Sequence, residues 1–176
     1  AAEQVDARYT LFFRGEGDAP VVVAPLFVQT MQDYMRLANI DAEVFAATLK
    51  QYPVTEVSSA YVNDKMLEML SAYDQDACCK EELLKCCEMT VDALEAFADR
   101  EATLINRYQI AARKRDLTSE EKSELMAIQL NSDSALSKAC AAALRGDSDM
   151  ASALRASLDE EARTTLGSWP IGRFFA

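Results

Sequence analysis

Apolar residues recur at alternating steps of three and four through the middle of the chain. Leu84, Cys87, Val91, Leu94, Ala98, Ile105, Tyr108 and Ala112 form one such row, with a break near Glu101. Glu81, Lys85, Glu88, Asp92, Glu95 and Asp99 follow the same alternation on another face. A buried stripe beside a solvated one is the pattern of an amphipathic helix, and it predicts a long central helix over about 78–115. Asp74, Asp76, Glu81 and Glu82 crowd its start, and Arg113, Lys114 and Arg115 crowd its end. Both clusters complement the helix macrodipole.

Neither glycine nor proline occurs between Pro53 and Gly146. Strands need turns every several residues, so a stretch without breakers favours long helices joined by short polar connections. A helix is predicted over 55–73, carrying Val57, Tyr61, Val62, Met66, Met69, Leu70 and Tyr73. Thr118-Ser119-Glu120-Glu121 is a capping box, and it opens a predicted helix over 118–145 through Leu125, Ile128, Leu136 and Cys140 to Gly146. Asp147 or Ser148 then caps another over 147–166. Shorter helices are expected from Asp41 to about Gln51, before Pro53, and from Pro25 through Met31 to Leu37. The fold class is therefore all-α, a bundle of five to six helices in one domain spanning 1–176.

The two ends depart from this pattern. Tyr9 to Phe13 looks strand-like, and Gly15-Glu16-Gly17-Asp18 looks like a turn into Val21-Val22-Val23. A lone hairpin is weak by itself, so residues 1–23 are expected to form an extended arm. The segment 168–176, with Trp169, Phe174 and Phe175, is too apolar to float free and should dock on the helices.

Composition narrows the class without naming a function. The 176 residues suit one domain, and half of them are hydrophobic, as in a globular chain. The 29 acidic residues outweigh 18 basic ones, giving a net charge of −11. Phosphate backbones and anionic membranes would be repelled by that average surface, so neither nucleic acid nor a membrane is the expected partner. No stretch reaches the roughly 18 apolar residues of a membrane span. The basic run at Arg107, Arg113, Lys114 and Arg115 is explained by the helix dipole alone. Ala1-Ala2-Glu3 suits signal-peptidase cleavage and equally a trimmed chain, so the start leaves the compartment undecided, with an exported or periplasmic location slightly favoured over a cytoplasmic one.

The chain has no histidine. That removes Ser-His-Asp and Cys-His catalysis in their usual forms, histidine-containing zinc sites, and Glu-x-x-His di-iron bundles. Five scattered glycines make no phosphate loop or dinucleotide fingerprint, and no cofactor is expected. Asp147-Ser148-Asp149 lacks the spacing of a calcium loop and reads better as a helix cap. Carboxylate pairs remain for acid–base work, but the row Glu88, Asp92, Glu95, Asp99 reads first as a solvated helix face.

Five cysteines are the unusual feature, four of them in the vicinal pairs Cys78-Cys79 and Cys86-Cys87. Within one unbroken helix Cys79 and Cys86 would stand about 10 Å apart along the axis, beyond disulfide reach. Cys140 shares a face with Leu136 and Leu144 and points toward a core. Small buried hydrophobes or inter-helix disulfides come first among the readings. A thiolate site for Cu(I) or zinc built from Cys78, Cys79, Cys86, Cys87 and Cys140 comes next. A redox pair comes last, because no Cys-x-x-Cys is present.

The leading functional expectation is a non-enzymatic protein–protein interaction domain of adaptor, chaperone or inhibitor type. Its partner would be another protein, by preference basic, met by Glu88, Asp92, Glu95 and Asp99 or by the apolar termini. The alternative is the thiolate metal-handling protein, and a carboxylate-dependent helical enzyme follows.

Overall fold

A computed structural model describes residues 42–75 and 80–175. The expected N-terminal arm, the helix from Pro25, and Cys78 and Cys79 lie outside the described residues. Every regular element among the described residues is helical, and no strand occurs there. The order is α1 (Ala42–Gln51), α2 (Glu56–Asp74), α3 (Lys80–Leu94), α4 (Arg100–Lys114), α5 (Ser119–Asn131), α6 (Ala135–Leu144), α7 (Ser148–Ser157), α8 (Glu160–Ser168) and a terminal 3₁₀ turn (Pro170–Phe175). These fall into two compact units divided between Ala98 and Asp99.

In the first unit α3 packs against both α1 and α2. Thr55 opens α2 with a capping box, taking the Ser58 amide on its hydroxyl while the Ser58 side chain accepts from the Thr55 amide. Val62, Met66, Met69 and Leu70 then repeat at helical spacing and are buried. Leu83, Leu84, Cys87, Val91 and Leu94 form the buried face of α3. Val54, Val62 and Leu94 pack together, so the start of α2 lies beside the end of α3.

The predicted helix over 78–115 is two helices. After Leu94 the amides of Phe97 and Ala98 both turn back onto the Leu94 carbonyl, each at 2.9 Å. Asp99 is extended, with ψ 139°, and its carboxylate accepts the Glu101 and Ala102 amides at 2.9 and 3.1 Å. A short side chain that captures the first amides of the next turn ends one helix and starts another without glycine or proline.

The same device divides two further predicted helices. The helix over 118–145 stops at Asn131, and Ser134 takes the Ser137 amide to begin α6. Ser132, between them, is buried, donates to Glu101 and accepts the Ser134 amide. The helix over 147–166 stops at Ser157, and Asp159 takes the Ala162 amide to begin α8, which runs to Ser168. These three breaks raise the helix count above the expected five to six.

In the second unit the middle position belongs to α6, which touches α4, α5, α7 and the 3₁₀ turn. Its sequence explains this. Ala139, Cys140, Ala141, Ala142 and Ala143 are buried in succession, and small side chains let neighbours approach from several sides. Gly146 closes α6 at φ 78°, with the Asp147 amide on the Ala142 carbonyl and the Gly146 amide on that of Ala143. Both bonds need a left-handed residue, which glycine supplies without steric cost. Trp169, Phe174 and Phe175 pack against the buried cluster of Leu125, Ile128, Leu158, Leu166 and Ile171.

Candidate functional site: an acidic helical surface

Charge is distributed unevenly between the two units. Residues 42–98 hold eleven acidic and four basic side chains, a net of −7. Residues 99–176 hold twelve acidic and eleven basic ones, a net of −1. The acidity that composition reports for the whole chain is therefore mainly a property of the first unit.

Glu88 and Asp92 are exposed on α3, four residues apart and hence on one face. Glu95 is also exposed, but it lies one residue beyond the helix end, in the turn. Asp99 does not continue the row. It belongs to the second unit, and its carboxylate is engaged by the two amides it caps. The structure thus keeps Glu88 and Asp92 on one helix face, sets Glu95 at its end, and gives Asp99 a structural role.

The cysteines sit in apolar surroundings. Cys86 and Cys87 are fully buried on α3, and the Cys87 thiol lies 3.9 Å from the Met66 carbonyl oxygen of α2. Cys140 is buried on α6 within the second unit, where burial pushes its thiol up to about 12. Metal binding needs the thiolate, which burial disfavours. Among the described residues, no three Cys, Asp or Glu side chains are grouped as a metal ion would require.

Asp147 takes the Met150 amide on its carboxylate and so caps α7. The basic run at the end of α4 has local partners as well. Arg113 reaches the 3₁₀ turn, and Arg115 forms two bonds to the Glu121 carboxylate, at 2.7 and 2.8 Å. No helix among the described residues is long and apolar enough to cross a membrane.

Two residues read as part of the α2 apolar row are on the surface instead. Val57 is 80% exposed and Tyr61 39%. The buried row runs through Ser58, Val62, Met66 and Met69, whereas Val57 and Tyr61 lie in register with Asp64 and Glu68 on the outer face. The signal was present in the sequence as this second row, 57-61-64-68, which mixes apolar and acidic types. Phe97, 42% exposed, lies just past Leu94 at the end of the unit where α2 starts.

Comparison of the chain with protein-family models, curated proteins and solved structures finds no match in any of the three. The functional reading accordingly rests on the residues themselves.

Proposed function

We propose that this chain is a protein-binding domain without catalysis of its own, and that residues 42–98 receive a partner with a basic surface. The concentration of charge in that unit carries the reading: a net of −7 over fewer than sixty residues, with Glu88, Asp92 and Glu95 all exposed. A surface of one sign raises the encounter rate of oppositely charged partners and repels like-charged ones. Adaptor, chaperone and inhibitor roles all use such a surface.

The test is capture from a native extract by the immobilised full chain, with a Glu88→Lys/Asp92→Lys/Glu95→Lys variant run in parallel. All three positions are exposed, so the variant should keep its fold. Basic proteins should be retained at about 50 mM salt and released by a few hundred millimolar, where the Debye length falls toward several ångströms. Retention that is equal for both chains, or indifferent to salt, would remove the electrostatic basis of the reading.

A further inference from the structure

No glycine or proline lies between Gly146 and Gly167, yet the helix breaks at Leu158 and Asp159. Both residues are extended there, with ψ 152° and 172°. The apolar row ignores the break. Ala151, Leu154, Leu158, Ala162 and Leu166 follow at steps of three and four, as one continuous helix over 148–168 requires. Two kinds of contact oppose that continuous helix. The Asp159 carboxylate accepts the Ala162 amide at 2.7 Å, and the segment beyond it is docked on the second unit's core.

That segment is built as one piece. The Gly172 amide donates to the Trp169 carbonyl at 2.9 Å, and a Cβ on Gly172 would stand 3.0 Å from the Leu166 carbonyl oxygen, so the 3₁₀ turn folds tightly back on α8. α8 packs chiefly on this turn, and the turn carries the piece onto α6 and α7. There Phe174 and Phe175 lie against Ala142, Ala143, Ala151 and Leu154. A two-residue connection therefore joins α7 to an arm, residues 160–175, whose seat is made by other elements.

We propose that Leu158 and Asp159 are a hinge through which two copies of this chain exchange that arm. Straightening the two residues joins α7 and α8 into one helix. The first amides of α8, which no preceding turn serves while the helix is broken, then reach carbonyls of α7. About ten residues of helix beyond Leu158 carry Trp169 ~15 Å along the axis, out of reach of its seat in the same copy. The arm seats instead on α4, α6 and α7 of the second copy, whose own arm returns the contact. Every contact of the seat is remade between copies, the bond from Arg113 to the Pro170 carbonyl included, so the two forms differ mainly at the hinge. A second copy is the occupant because its arm is the segment whose fit to this seat the structure displays. Charge permits the approach: residues 99–176 carry a net of only −1, and salt screens the −7 of the other unit. The inference does not depend on the partner reading; with it, exchange doubles the acidic surfaces in one particle.

The full chain is refolded from guanidinium at about 0.5 mM protein and roughly 150 mM salt, then diluted for sedimentation velocity. Asp159→Ala removes the cap that favours the break. Glu160→Pro fills the first position of α8, which accepts proline, and forbids a helix running through it. Circular dichroism confirms that each variant is folded. Isotopically heavy and light chains are also refolded together, with Phe175→p-benzoylphenylalanine in the heavy chain alone, and illuminated.

The wild type should give a slowly dissociating dimer, Asp159→Ala at least about fivefold more of it, and Glu160→Pro none. Cross-links should join heavy position 175 to light residues 142–154, and amides 159–161 should gain protection from hydrogen exchange in the dimer. Asp159→Ala that stays monomeric, or Glu160→Pro that dimerises as the wild type does, overturns the hinge. A dimer whose cross-links never reach a light chain keeps each arm at home and overturns the exchange. If Asp159→Ala loses its helical signal, the wild type and Glu160→Pro decide alone: a dimer that proline abolishes supports the exchange, and any other pair of results overturns it.

Discussion

The Arg113 guanidinium on α4 donates to the main-chain oxygen of Pro170 at 2.9 Å, fastening the terminal 3₁₀ turn to a helix 57 residues earlier in the chain. The same side chain donates to the Gln109 carbonyl at 2.7 Å and lies 5.3 Å from the centroid of the Phe174 ring. One planar group therefore engages two carbonyls and an aromatic ring.

Replacing that group should loosen the tail. Hydrogen bonds from charged donors contribute about 1.5–3 kcal/mol each, so Arg113→Leu should lower stability by roughly 2–3 kcal/mol once its retained packing is allowed for. Arg113→Lys keeps the charge but cannot reach two carbonyls and stack at once, and should recover less than half of the loss. Urea unfolding followed by Trp169 fluorescence reads both variants. Midpoints equal to that of the wild type would mean that Leu166 and Ile171 hold the tail without help from Arg113.

The breaks at Asp99, Ser134 and Asp159 yield a second expectation. Each side chain satisfies a backbone amide that would otherwise lack a partner, and each corresponding alanine variant should cost about 0.5–2 kcal/mol. Asn restores most of that loss at Asp99 or Asp159, because its side-chain oxygen accepts the same amides. Denaturant midpoints for the six chains, three alanine variants, two asparagine variants and the wild type, check this. Alanine variants indistinguishable from the wild type would show that the breaks are set by tertiary packing instead.

Those three residues also explain where the sequence was legible and where it was not. Helix type was readable because apolar positions repeat every three or four residues from Val62 to Leu94 and again from Ile105 onward. The ends at Thr118 and Gly146 were readable because each carries a distinctive local chemistry, whereas the capping box at Thr55 uses Ser58 in place of the usual Glu or Gln and emerged only in the structure. Asp99, Ser134 and Asp159 sit inside rows whose period continues past them, and an exposed polar residue in such a row resembles any other solvated position. The break near Glu101 was a visible symptom of the Asp99 cap. On the acidic surface, exposure of Glu88 and Asp92 followed from their register. Val57 and Tyr61 did not, because residue type suggested burial and only their register with Asp64 and Glu68 said otherwise.

Acid titration should expose the contribution of Glu121. Its two bonds from Arg115 act first and the Thr118 amide assists, holding the carboxyl well below its ordinary value, at about 2. The unfolded chain has no such partners and binds a proton near the ordinary glutamate value of about 4.3. Stability from this residue is therefore fully present above that value and is lost as the pH falls toward 2. The ion pair is close to solvent, so its effect is modest. Melting temperatures of the wild type and Glu121→Gln should differ at pH 7 and converge by about pH 2. A gap that stays constant across this range would remove Glu121 from the pH dependence.

Cys140 provides the sharpest contrast between a core cysteine and a chemical one. It lies on α6 among buried alanines, and burial pushes its thiol up to about 12. At pH 8 the thiol form therefore dominates, and the thiolate is the form that reacts with alkylating agents and binds metal. Iodoacetamide applied to the native chain at pH 8 should therefore leave Cys140 unmodified, and the fully buried Cys86 and Cys87 should be shielded in the same way. All three should react once guanidinium unfolds the chain, as peptide mass mapping would show. Cys140→Ala should be tolerated, since α6 already packs through alanine on several sides. Cys140→Ser should cost about 1–3 kcal/mol, because a hydroxyl buried there needs a hydrogen-bond partner. Labelling of Cys140 within minutes in the native chain would instead mean that α6 opens readily, and would restore a thiolate-dependent role that the buried geometry disfavours.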